Sequence, residues 1–148
     1  MADVGKIESL LRPASLIDLE RLLIGKRLGS GAFRDVFEHN MDADLVVKVE
    51  TSEEVFQNIK EWDVWQTLCN HAPSSQWLAP CHYISPCGLI LIQSKTQPIT
   101  KAEMPLSVPK FFSDVKPDNW GRLKGKIVCH DYALVLPKYE LKRKAVRC

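Results

Sequence analysis

The sequence predicts an α+β fold: a five-stranded antiparallel sheet with one packed helix, followed by a smaller region of loops and short strands. Between residues 24 and 93, five short apolar or β-branched runs are separated by turn residues. One longer segment, residues 51–73, repeats its apolar residues at the helical period instead. From residue 98 to residue 114 three prolines interrupt the chain, so no long helix is expected there.

Length and composition are those of one globular domain, residues 1–148. With 45% hydrophobic and 26% charged residues, the chain matches the average for soluble proteins. It has neither a signal-peptide pattern at the start nor an apolar run long enough to span a bilayer, so we expect a cytoplasmic protein without membrane contact. A net charge of +2 says little about partners, but the locally basic end has a single aromatic residue and no repeat, so nucleic acid is an unlikely partner.

The expected elements follow in order along the chain. A short leading helix is predicted within residues 1–21, where Ser15 is a capping candidate ahead of leucines at helical spacing. The first three strands are predicted in "LIGKRLGSG", "DVFEHNMDAD" and "LVVKVE", and two more near Cys81–Ser85 and Leu89–Gln93. Beyond the prolines, "NWGRLKGKIVC" is predicted to form a hairpin.

The main helix is predicted to begin at a capping box formed by Thr51 and Glu54 and to end before Pro73. Glu61 lies at the rim of its apolar face. That face is expected to contain Val55, Ile59, Trp62, Trp65, Gln66 and Cys69.

Two motifs in the first three strands have the residue types that contact a polyphosphate. Gly29 and Gly31 let backbone N–H groups approach phosphate oxygens, although a glycine-rich hairpin turn is often only a turn. Lys48 stands in the middle of an apolar strand, where it either extends along the strand edge to water or reaches phosphates with an acidic partner to hold it. Glu61 is the first candidate for that partner and Glu54 the second.

A third group consists of Asp114, Asn119 and Asp131. Two carboxylates and an amide oxygen are suited to holding Mg²⁺ and to aligning a nucleophile with a γ-phosphate. Asp and Asn also collect in turns, where their side chains make local hydrogen bonds. The loop by itself therefore does not decide between the two interpretations.

Taken in order, these pieces resemble the protein-kinase signature. The glycine-rich loop appears as "GSGAFRDV", the strand lysine as "VVKV", the helix glutamate as the first residue of "EWDVWQTLCNHAP", the catalytic loop as "FSDVKPDN" and the metal-binding triplet as "DYA". The resemblance covers residues 22–135. The Lys116-Pro117 pair after the loop aspartate resembles the serine/threonine protein kinases. With its reduced second lobe, the chain is similar to the trimmed effector kinases of bacterial pathogens and to phage-encoded kinases.

The resemblance implies a kinase-like N-lobe over residues 22–98 and a vestigial C-lobe over residues 99–148. It implies ATP and Mg²⁺ as cofactors, with Asp114 orienting the acceptor hydroxyl and Lys116 steadying the γ-phosphate. The implied metal ligands are Asn119 and Asp131. The implied nucleotide-binding residues are Leu28, Gly29, Gly31, Val36, Val46, Lys48 and Glu61.

The sequence also departs from the family pattern. Arg34 stands where the third loop glycine is expected, and there it either narrows the loop or adds a cation near the phosphates. Phe112-Ser113 replaces histidine-arginine, and Ala133 replaces the last glycine of the metal-binding triplet. The stretches between Ile99 and Asp114 and beyond Asp131 are too short for the family's supporting helices and activation segment.

The reduced second lobe is expected to leave Phe111, Phe112, Trp120 and Leu134 without their usual cover. Each large apolar side chain left in water forfeits roughly 1.5–3 kcal/mol, so we expect a homo-oligomer or an obligate protein partner to cover them.

Two functions are consistent with these patterns. The first is a minimal Mg·ATP-dependent serine/threonine protein kinase-like phosphotransferase that needs a partner or self-association. The alternative is a kinase-derived pseudokinase or binding module that acts by protein–protein contact with little or no catalysis. The expected location is the cytoplasm, which for an injected or phage-encoded protein would be that of the host.

Overall fold

A computed structural model describes residues 23–136 and 142–147. The leading helix predicted around Ser15 lies outside these residues. The described elements are β1 (Ile24–Ser30), β2 (Arg34–His39), β3 (Leu45–Glu50), α1 (Gln57–Leu68), α2 (Ala72–Ser75), β4 (Cys81–Ile84), β5 (Ile90–Ser94), β6 (Gln97–Pro98), β7 (Ser107–Pro109), β8 (Trp120–Leu123), β9 (Lys126–Cys129) and β10 (Arg143–Ala145), with 3-10 turns at Lys101–Glu103 and Pro117–Asn119.

The first five strands form one antiparallel sheet in the order β1-β2-β3-β5-β4. β3 is the central strand, so Lys48 lies opposite Val36 on one side and Leu91 on the other. The five predicted strands are confirmed, as is the hairpin, which is formed by β8 and β9. An α+β architecture with a five-stranded antiparallel sheet and few helices is compatible with a kinase-like N-lobe, while the vestigial second lobe stays a prediction.

Helix α1 begins later than predicted, and the capping box of Thr51 and Glu54 is wrong. The first helical residue is Gln57. The carboxylate of Glu50, at the end of β3, accepts hydrogen bonds from the backbone N–H groups of Gln57 at 3.1 Å and Asn58 at 2.8 Å. Because Glu50 already satisfies these two N–H groups, no capping residue within the helical segment is needed.

The buried face of α1 also differs from the predicted one. None of the six residues expected on the apolar face is fully buried, and Ile59 is 41% exposed. The amide of Asn58 donates to the carbonyls of Lys48, Gly88 and Leu89 at 3.0–3.1 Å, and buried polar groups are tolerated when they are bonded in this way. The buried residues of the helix are Gln57, Asn58, Glu61, Val64 and Leu68.

The main hydrophobic core takes residues from both sides of the predicted boundary at residue 98. Phe112 and Trp120 are each 1% exposed, their ring centroids are 4.8 Å apart, and Trp77 packs edge-on against Trp120 at 6.4 Å. The expectation that a partner must cover Phe112 and Trp120 is therefore wrong, because the chain itself buries them.

Other apolar side chains of this region do reach the surface. Phe111 is half-buried against the core, whereas Leu134 is 65% and Leu136 is 71% exposed. The oligomer or partner remains a prediction: of the residues expected to be covered, Leu134 is exposed and Phe111 half-buried, and the exposed Leu136 lies two positions beyond Leu134. Among the described residues, no helix is both long and apolar enough to cross a membrane.

Candidate functional site

Lys48 takes part in a buried ion pair beneath the sheet. Its Nζ lies 2.9 Å from Oε2 of Glu61, and the two side chains are 4% and 0% exposed. Nζ also donates to the backbone carbonyl of His130. Of the two glutamates considered as partner, Glu61 makes this contact, whereas Glu54 is exposed and precedes the helix. Charges buried this deeply are stable only when they are paired.

Glu61 is held as a carboxylate by several donors. Burial by itself would raise its pKa, but the charges of Arg34 and Lys48 outweigh burial and hold the pKa at about 2. Hydrogen bonds from the Arg34 side chain and from the backbone N–H of Tyr132, the latter at 2.8 Å, act in the same direction. The group therefore stays ionised at neutral pH.

Arg34, at the start of β2, extends into the same cluster. Its side chain is 8% exposed; NH1 donates to Glu61 and, at 3.3 Å, to Oδ1 of Asn58, while NH2 donates to Oδ1 of Asp131 at 2.9 Å. Burial lowers the pKa of the guanidinium, but Glu61 and Asp131 more than offset burial and raise it. The residue at the third glycine position is thus a cation among the acidic groups of the site.

The loop containing Asp114 is tied to the segment that precedes Asp131. The amide of Asn119 donates to the backbone carbonyl of Asp114 at 3.5 Å, and the carbonyl of Asn119 accepts from the N–H of His130 at 2.9 Å. The Asp114 carboxylate is 46% exposed, and Nζ of Lys116, whose side chain is 72% exposed, lies 3.5 Å from it. The structure thus places Asp114 at a solvent-accessible edge.

His130 belongs to this site although no sequence pattern indicated it. Its Nε2 lies 2.7 Å from the backbone carbonyl of Asp118, and its Nδ1 lies 2.8 Å from Oγ1 of Thr96. Burial, and then the charge of Lys48, lower its pKa, so the ring is neutral, with the proton on Nε2 because a carbonyl can only accept. The ring joins the end of β5 to the Asp114 loop, and only its place beside Asp131 in the sequence hinted at this.

Three adjoining cavities open around these side chains. A cavity of about 370 Å³ is bordered by Leu28, Val36, Val46, Lys48 and Gln93. One of about 550 Å³ is bordered by Gly29, Gly31, Arg34, Lys48, Asn119 and Asp131, and is called the phosphate-side cavity below. One of about 180 Å³ is bordered by Asp114, Asn119 and Asp131. Two of the predicted site residues, Glu61 and Lys116, border none of these three cavities. Glu61 lies behind Lys48.

The glycine turn and Gln93 fit a bound nucleotide. A Cβ added at Gly29 would meet no atom within 4 Å, and one at Gly31 only a backbone oxygen at 3.8 Å, so internal packing does not require glycine at either position. The open space instead faces the cavities. Oε1 of the fully buried Gln93 has no hydrogen-bond partner among the described residues, and the residue borders the 370 Å³ cavity.

The donor set fits Mg²⁺ only together with phosphate ligands. Among the described residues, no cluster of three or more His, Cys, Asp or Glu side chains is arranged to hold a metal. Asn119 and Asp131 supply oxygens, which Mg²⁺ prefers, but Oδ1 of Asp131 already accepts from Arg34. Mg²⁺ in such sites takes one or two carboxylates and completes its shell with phosphates and water.

Comparison with known proteins gives a limited result. No family model matches the sequence, and no curated protein matches it. Among solved structures, the chain is similar to APH(2'')-IIa in a ternary complex with streptomycin and ATP, with a TM-score of 0.43 and 23% sequence identity. The match covers 68% of this chain and 32% of that one, so this chain spans about a third of its length. A likeness at this level does not assign an activity, and the function proposed below depends on the site itself.

Proposed function

We propose that this chain is a kinase-like phosphotransferase that uses ATP and Mg²⁺ to phosphorylate a hydroxyl group. One observation carries the proposal: Lys48, held by the buried Glu61, borders one cavity together with the glycine turn, Asn119 and Asp131. Positioning and electrostatic stabilisation are nearly all that a protein supplies to phosphoryl transfer, and this cavity provides side chains for both.

The nucleotide would lie along the two larger cavities. Leu28, Val36 and Val46 offer apolar surface to a base, and Gln93 borders the same cavity. Lys48 borders both cavities, so its ammonium is available to phosphate oxygens. Internal packing does not require glycine at position 29, so the backbone there is open to a ligand. This supports the same arrangement.

Asn119 and Asp131 are the residues that would hold Mg²⁺, which when bound supplies positive charge against the phosphates. Asp114 borders the smallest cavity beside them and would orient the acceptor hydroxyl, with Lys116 steadying the γ-phosphate. The half-exposed position of Asp114 supports a polypeptide acceptor, and the Lys116-Pro117 pair supports serine or threonine. Exposed Leu134 and Leu136 support a partner or a second copy beside the site.

The test combines nucleotide binding with transfer. Mg·ATP is expected to raise the melting temperature of the wild type and not of Lys48→Ala, in which Glu61 still pairs with Arg34. Lys26→Ala, which removes an exposed lysine from β1, is the matched control and should respond as the wild type does. Radiolabelled phosphate should appear on the chain or on a protein substrate and disappear in Asp114→Asn. If no nucleotide shifts the melting temperature, the proposal fails.

A second candidate is a nucleotide-binding or docking module without transfer. The ion pair of Arg34 with Asp131 favours it, because it engages a carboxylate oxygen that a catalytic metal would use. This candidate predicts a melting shift with ATP but no labelled product from either the wild type or Asp114→Asn.

A further inference from the structure

Arg34 lies between the two acidic groups at one edge of the phosphate-side cavity. NH1 donates to Glu61, NH2 donates to Asp131 at 2.9 Å, and the side chain itself borders the cavity with Lys48. Two cations, Arg34 and Lys48, therefore meet the carboxylate of Asp131 at this edge and that of Glu61 behind it.

The charges of this cluster balance because Arg34 is present. Among these four side chains the guanidinium and the ammonium offset the two carboxylates, so together they have no formal net charge, and Glu50 and Asp118 add negative charge nearby. Without Arg34, the remaining three side chains would carry a net negative charge and would repel a polyphosphate at short range. A divalent cation would then have to supply the missing charge.

The guanidinium also has donors to spare. A guanidinium carries five N–H donors, and its contacts with described residues are three hydrogen bonds, to Asn58, Glu61 and Asp131. The remaining donors suit the oxygens of a phosphate, which a planar guanidinium binds well. A metal on Oδ1 of Asp131, in contrast, would have to share that oxygen with NH2 of Arg34.

We infer that Arg34 is a phosphate-binding residue that takes the place of a divalent cation, so that this chain binds a nucleoside triphosphate without requiring Mg²⁺. The inference rests on the proposed nucleotide-binding function and concerns binding alone. The ligand it names is the β- and γ-phosphate portion of the nucleotide.

The test is calorimetric titration of ATP into the full chain, once in EDTA and once in excess Mg²⁺. The wild-type affinity should differ by less than about threefold between the two conditions. Arg34→Met should lose about 10–100-fold in EDTA, the range for a lost charge-assisted hydrogen bond, and should regain affinity with Mg²⁺. The matched control is Arg27→Met, since Arg27 is 57% exposed and pairs with Asp35 instead; it should behave as the wild type does.

The outcomes separate this inference from the proposed function. Wild-type binding that weakens by about tenfold or more in EDTA overturns the role of Arg34 and leaves nucleotide binding intact. Absence of ATP binding in both conditions overturns the proposed function and the inference with it. Melting curves without ligand show whether Arg34→Met is folded. If it is not, Arg34→Lys replaces it; a compact ammonium lacks the planar fork with which a guanidinium spans both carboxylates and a phosphate, so unchanged affinity in EDTA would count against the inference.

Discussion

The guanidinium of Arg34 lies 2.9 Å from the carboxylate of Asp131, although 97 positions separate the two residues in the chain. Arg34 opens β2, next to the glycine turn, and Asp131 follows β9. Together with the ion pair of Lys48 and Glu61, this contact joins the sheet, helix α1 and the Asp131 segment into one charged cluster. The walls of the site are thereby connected before any ligand binds.

Removing the central carboxylate should destabilise the fold strongly. Glu61→Ala leaves Arg34 without its main partner and Lys48 buried and unpaired, which is expected to cost about 3–5 kcal/mol in the free energy of unfolding. Urea denaturation measures this. The control is Asp63→Ala on the exposed side of the same helix, expected to change stability by no more than about 0.5 kcal/mol. Similar losses in both variants would contradict the assigned role of the cluster.

The same carboxylate predicts a pH dependence of stability. The pKa of Glu61 is lowered from its ordinary value of 4.5 to about 2 in the folded chain. Between these values the folded state therefore binds fewer protons than the unfolded state. The stabilisation that ionised Glu61 contributes is complete above pH 4.5 and is lost as the pH falls towards 2. The difference in unfolding free energy between wild type and Glu61→Gln should shrink between about pH 6 and about pH 3. An unchanged or growing difference would show that the pKa is not lowered.

The burial of Phe112 can be tested by truncation. Phe112→Ala removes a ring that is 1% exposed and packed on Trp120, so about 3–5 kcal/mol should be lost. Leu134→Ala, at a position 65% exposed, should change the stability of the monomer by less than about 0.5 kcal/mol. Both changes in unfolding free energy are measured by chemical denaturation. A larger loss for Leu134→Ala than for Phe112→Ala would indicate that Phe112 is exposed, as the sequence had suggested.

The unsatisfied amide of Gln93 predicts a stabilising substitution. Oε1 of this buried side chain has no partner among the described residues, and its Nε2 lies a long 3.5 Å from the carbonyl of Ala79, which also accepts from the hydroxyl of Tyr132 at 2.7 Å. Gln93→Met keeps the shape and removes the desolvated oxygen, so the ligand-free chain should gain up to about 1 kcal/mol, read from the thermal midpoint. A loss of that size would mean that the oxygen is satisfied in solution.

Self-association through the exposed leucines is a further prediction. Leu134 and Leu136 are the exposed part of the surface expected to bind a partner or a second copy. Light scattering at low micromolar concentration should show an oligomer, and the double substitution Leu134→Lys with Leu136→Lys should convert it to a monomer. A wild-type chain that is sharply monomeric would exclude self-association at that concentration.

Local patterns determined a large part of this protein. The five strands could be predicted because β-branched and apolar runs between turn residues are a property of neighbouring positions. Lys48 in the middle of β3 was evident for the same reason, since a charged residue inside an apolar run stands out. The order of the motifs also placed Asn119 and Asp131 in the loops that border the phosphate-side cavity.

Tertiary structure alone decided which polar groups are buried. Apolar periodicity identified Trp62 and Trp65, which pack partly buried on the core, but missed Asn58 and Glu61, which are buried by partners 10 to 71 positions away that no local pattern reveals. Phe112 packs on Trp120, and Trp77, from a distant part of the chain, packs edge-on against Trp120. Arg34 could be noticed as an exception in the glycine loop, but its contact with Asp131 exists only once β2 and β9 are brought together. A buried charge is stable only beside its counter-charge, and the fold decides where that counter-charge lies.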